Sequence, residues 1–141
     1  MSKPGIIRDI DPEEPLNSGV DKIIRARIQE LLSFADGSRE GRLDAVHDMR
    51  IACRRLLSVL KIFKGAAGIK AAQARKLKKL LRTLREVREC DVVINVLKKF
   101  TKEYGRSAAA ARMTREYSKK RKSSGARLTK TLKGIESRMT R

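Results

Sequence analysis

His47, Arg50 and Arg54 stand three and four residues apart. On a helix that spacing stacks them in one row, about 10 Å long. Ser58 and Lys61 extend the same side, Arg55 lies at its edge, and Asp48 sits at the rim rather than inside the row. Lys78, Arg82 and Arg85 repeat the pattern further along and are joined by Glu89. Guanidinium groups are planar, permanently charged and able to hold two phosphate oxygens at once. A row of them on a rigid helix suits a repeating anion better than a single small phosphate. His47 is the only histidine; alone it would be an ordinary surface residue. Aligned with Arg50 and Arg54 beside phosphates, its imidazolium would be favoured and would add a donor near neutral pH. Arg88 and Asp91, three apart, fall on or beside the apolar stripe of their helix. An ion pair between them would explain both, and Arg88 is equally placed to touch a ligand.

No set of residues points to catalysis. Metal-assisted phosphate chemistry needs clustered carboxylates, and acids are scarce on the basic face. Neither a P-loop nor any Gly-rich phosphate cradle is present. Cys53 and Cys90 lie inside helical patterns with no second histidine or placed acid to activate them, and no CxxC pair suggests metal. The expectation is a non-enzymatic protein with no metal and no cofactor.

The elements that must carry these rows are helical. Apolar residues recur at Val20, Ile23, Ile24, Ile28, Leu31, Leu32 and Ala35, the period of an amphipathic helix. Gly37 and Gly41 bracket a polar loop, and Asp44 is placed to cap a second helix running to about Lys64. Its core stripe is Met49, Ala52, Cys53, Leu56, Val59, Leu60 and Phe63. Gly65 to Gly68 reads as a turn. A third helix runs from about Ile69 to Tyr104, with Leu77, Leu80, Leu84, Val87 and Ile94 as its stripe and Gly105 as its stop. Ser107 can cap a fourth, with Met113, Tyr117, Leu128, Leu132, Ile135 and Met139 as apolar positions. Gly125 and Gly134 should kink or fray it. Four helices joined by short loops predict an all-α, up-down-up-down four-helix bundle. Residues 1–18 hold all three prolines and read as a flexible acidic arm ahead of a single helical domain over 19–141.

The formal net charge is +19 over 141 residues, an excess that repels itself unless a polyanion relieves it. It is unevenly spread. Residues 1–21 carry two basic and five acidic side chains, residues 22–101 twenty and eight, and residues 102–141 thirteen and three. The partner surface therefore belongs to the helical body and the C-terminal part, and the run Lys119 to Lys122 reads as a solvated face. Aromatics are only 4%, which argues against base stacking on single-stranded nucleic acid. Non-specific contact with the DNA or RNA backbone is the competing expectation, since it asks for little beyond basic residues. No apolar run could span a bilayer and no signal peptide is evident, so a cytoplasmic location is expected.

The segments AVHDMRIACRRLLSVLKIF and LKKLLRTLREVRECDVV resemble the two opening motifs of the CHAD family, the conserved-histidine α-helical domain. The resemblance covers roughly residues 20–135. It implies an all-helical fold whose basic surface binds inorganic polyphosphate, often near polyphosphate granules. It makes His47, Arg50, Arg54 and Arg55 ligand contacts from the first motif, and Lys78, Arg82 and Arg88 contacts from the second. Arg85 and Glu89 depart from the Gly and Asp common at those positions. Members of the family usually pair two four-helix halves across a basic groove, and this chain resembles the first half alone. The resemblance thus leaves two readings: two copies pair to rebuild the groove as a homodimer, or the chain is a fragment or a degenerate half. Repulsion between basic faces would place the apolar seam elsewhere, on the first or fourth helix, or leave polyphosphate to bridge them.

Overall fold

In the computed structural model, which describes residues 3–64 and 71–139 (side chains to residue 137), every regular element is a helix. They are α1 (Leu16–Ser33), α2 (Ala35–Arg39), α3 (Leu43–Ile62), α4 (Ala71–Tyr104) and α5 (Ala108–Met139). The expected second, third and fourth helices are α3, α4 and α5. The four long ones pack as a bundle, α1 on α3, α3 on α4 and α4 on α5. The core is aliphatic, as the scarcity of aromatics requires: Val20, Ile24 and Leu31 from α1, Met49, Ala52, Cys53 and Leu56 from α3, Leu77, Leu80, Leu84 and Val87 from α4, and Leu128, Leu132 and Ile135 from α5. The stripe of α3 is as expected, with Val59, Leu60 and Phe63 partly buried against it. On α4, Ile94 is only half-buried, whereas Thr83, Cys90 and Leu97 are buried. Thr83 is satisfied by donating its hydroxyl proton to the Lys79 carbonyl at 3.0 Å.

Several local expectations are corrected. The polar loop after the first helix is instead α2, in which Gly37 is buried. A Cβ there would come within 2.7 Å of both Ala45 Cβ and Arg42 Nη2, so glycine lets α2 lie close against α3. Asp44 does not cap α3; Arg42 occupies that position and Asp44 lies in the first turn, accepting from the Ala45 N–H at 2.9 Å. Ser107 does cap α5, its hydroxyl accepting from the Ala110 N–H at 3.1 Å, as an N-cap serine should. Gly105 ends α4 with a φ of 84°, a left-handed conformation that costs glycine little. α5 neither breaks nor ends at Gly125 or Gly134. The turn expected at Gly65 to Gly68 and the helix start at Ile69 lie outside the described residues.

The ion pair expected between Arg88 and Asp91 is replaced by one between helices. Arg121 Nε donates to Asp91 Oδ1 at 2.8 Å, with the side chains only 20% and 13% exposed. Arg121 thus leaves the run of lysines beside it and turns inward. A Cβ on Gly125 would approach its Nη1 to 2.8 Å, and one on Gly41 its Nη2 to 3.1 Å. These two glycines leave room for the guanidinium.

The segment before α1 runs back along the bundle. Lys22 Nζ donates to the Asp9 carbonyl at 2.6 Å, and Pro4 lies in a shallow pocket with Arg54, Arg55 and Ser58. Glu14 accepts from Lys22 Nζ and from the Ser18 hydroxyl, each at 2.8 Å. Those two hydrogen bonds, the lysine's first, hold its carboxyl down at about 2.

Candidate anion-binding face

The outward sides of α3 and α4, which pack against each other, carry most of the expected site residues. Cys53 Sγ lies 3.4 Å from the Leu77 carbonyl, which sets the two helices in register. They are joined by a short connection and run antiparallel, so His47 is level with the region around Thr83, and Arg54 with the region around Arg75 and Lys78. Leu57 and Leu81 are both partly buried against the core. Arg54, Ser58 and Lys61 are exposed, Arg50 and His47 half-buried. On α4, Lys78, Arg82 and Arg85 are exposed and Arg88 is half-buried on the side turned toward α3.

Three carboxylates of the bundle are engaged away from this face, while exposed Glu89 lies on it beside Arg85. Glu30 takes both Arg27 and Arg55 from the α1 side, at 2.9 and 2.8 Å. Glu86 pairs with Arg127 on α5 at 2.9 Å, and Asp91 with Arg121. Among the described residues, none of Arg50, Arg54, Lys78, Arg82, Arg85 and Arg88 has an ion-pair partner. At the end of the row, Nδ1 of His47 is buried without a hydrogen-bond partner among them. Burying such a nitrogen unpaired costs free energy that an acceptor or donor arriving there would recover.

A model of the CHAD domain matches residues 22–140, from the first turns of α1 to the last residues of α5. The chain belongs to the CHAD domain family. No curated protein and no solved structure matches it. CHAD domains are binding modules associated with polyphosphate, and the face just described holds this CHAD domain's two motifs side by side.

One expected contact stands apart. Arg55 points toward α1, where its bond to Glu30 ties α1 to α3. One basic residue went unnoticed in the sequence. Arg75 lines a shallow groove on α4 with Lys78, Leu81 and Arg82, and its spacing of three and seven residues from Lys78 and Arg82 was the available signal.

The two thiols of this CHAD domain are buried and free. Burial pushes the Cys53 thiol up from 9.0 to about 12, so it is neither a nucleophile nor a metal ligand at neutral pH. The folded state favours the protonated thiol. Stability is therefore expected to fall as pH rises above 9, where the unfolded thiol ionises and the folded one does not. Cys53→Ala should flatten that alkaline limb in urea titrations, at the cost of a small cavity. Among the described residues there is no cluster of potential metal ligands, and no helix is long and apolar enough to cross a membrane.

Proposed function

We propose that this CHAD domain is a non-enzymatic module that binds inorganic polyphosphate along the α3–α4 face. His47, Arg50 and Arg54 form one row; Lys78, Arg82, Arg85 and Arg88 form the other. The observation that carries the reading is the row of six arginine and lysine side chains that, among the described residues, lack ion-pair partners, while Glu30, Glu86 and Asp91 are bound elsewhere. Such a surface is repulsive in the free protein and is relieved by a chain of negative charges. Arg55 serves the α1–α3 contact rather than the ligand.

Competition tests the ligand class. Long-chain polyphosphate should displace a labelled DNA duplex at matched phosphate concentration. Equal competition by both would reduce the reading to general polyanion binding, and preference for the duplex would replace it with nucleic-acid binding. Affinity should also fall as a power of salt concentration, because several phosphate contacts release counterions on binding. Titrations at rising potassium chloride check this; an affinity indifferent to salt would mean that something other than the charge row holds the ligand.

A further inference from the structure

α4 and α5 are 34 and 32 residues long, against 18 and 20 for α1 and α3. At about 1.5 Å per residue they overhang the shorter helices by about 20 Å. The overhang begins at the Asp91–Arg121 pair and ends at the Gly105 turn. Half of the exposed large apolar side chains among the described residues lie on it: Val92, Val96, Phe100 and Tyr104 on α4 and Met113 on α5, all 43% to 70% exposed. Lys98 and Thr101 line one side of the hairpin together with Ala111 and Thr114 of α5. Helical periodicity then turns Val96, Phe100 and Met113 to the other side. The rings of Phe100 and Tyr104 meet at a tilt of 41°, with centroids 5.1 Å apart.

We propose that this apolar overhang is the seam at which two copies of the chain pair, with their α4 helices antiparallel. The exposed area is roughly 500 Å² per copy and roughly 1,000 Å² for a pair, the lower end of specific interfaces. It is also as large as the largest apolar patches that monomers leave uncovered. The orientation follows from charge. Lys78, Arg82, Arg85, Glu89, Val92 and Val96 recur at three- and four-residue steps, so the apolar stripe continues the basic face along the same side of α4. A parallel pairing would set basic half against basic half. An antiparallel one, centred near Lys98, sets stripe on stripe. It leaves both basic halves open beyond the partner's Gly105 turn. The seam thus lies chiefly on the third of the four long helices, rather than on the first or fourth. It does not depend on what the basic face binds.

Sedimentation velocity of the full chain without polyphosphate tests the seam. A dimer is expected whose affinity rises with salt, because salt screens the repulsion between two chains of charge +19 and leaves apolar contact intact. Val96→Asp together with Phe100→Asp should weaken pairing about a hundredfold or more, since two large side chains per copy lose their burial. Both are exposed, so circular dichroism should be unchanged. The added negative charge lowers repulsion between copies and by itself would favour pairing. Lys102→Asp, on the far side of the overhang, should pair at least as well as the parent chain. A parent chain that stays monomeric at high salt and high concentration, or an aspartate variant that pairs as the parent does, would overturn the proposal. So would an assembly that forms only with polyphosphate and dissolves in salt.

Discussion

Replacing Arg50 and Arg54 together by alanine is expected to weaken polyphosphate binding by about tenfold to a hundredfold, with helicity and unfolding midpoint nearly unchanged. The magnitude follows from two charge-assisted contacts, discounted because Arg54 is exposed to solvent. Stability should hold for four reasons. Neither side chain belongs to the core. Neither pairs with a carboxylate among the described residues. Alanine is as good a helix former as arginine, and two fewer positive charges ease repulsion across the face. Arg55→Ala is the informative contrast. It breaks the bond to Glu30, so it should cost about 1 kcal/mol of stability and change binding little. Calorimetric titration with polyphosphate, alongside thermal melts, separates the outcomes. Unchanged binding by the double variant would remove the face as the site, and unfolding would assign both arginines to the framework.

Arg121→Leu is expected to produce the largest loss of stability, about 3 kcal/mol, which lowers the melting temperature of a chain this size by about 10 °C. Asp91 is 13% exposed and its Oδ2 already lacks a partner among the described residues. Removing Arg121 would strand a charged carboxylate between two helices. Adding Asp91→Leu should recover most of the loss, because an apolar pair replaces a buried ionic one at little cost. Urea titrations of the single and double variants measure the coupling. If the losses from the two single variants simply add in the double variant, the pair does not lock α4 to α5. Polyphosphate binding by the folded fraction should be unaffected in either variant, since the pair lies at the base of the overhang, away from the basic face.

The elements were legible in the sequence because their signals are local. The apolar period of Met49, Ala52, Cys53 and Leu56 and that of Leu77, Leu80, Leu84 and Val87 each depend on residues within a few turns, and these residues form the core as expected. The stop at Gly105 and the cap at Ser107 are likewise set by backbone sterics and one hydroxyl. The rows His47–Arg50–Arg54 and Lys78–Arg82–Arg85 could be read for the same reason: three- and four-residue spacing places side chains on one face whatever the helix packs against. What periodicity does not contain is the neighbour. Asp91 had a plausible partner three residues away in Arg88, yet its partner is Arg121, thirty residues on, because register between α4 and α5 brings that guanidinium into a gap left by Gly41 and Gly125. Gly125 looked like a weakness in its helix and is instead the space an arginine needs. Arg55 looked like one more member of the basic row and is drawn aside by Glu30 of α1. The sequence by itself determined which side of each helix is apolar and which is basic. Only the tertiary structure decided which charges face one another, since that depends on how far one helix slides along the next and on which carboxylate arrives within 3 Å.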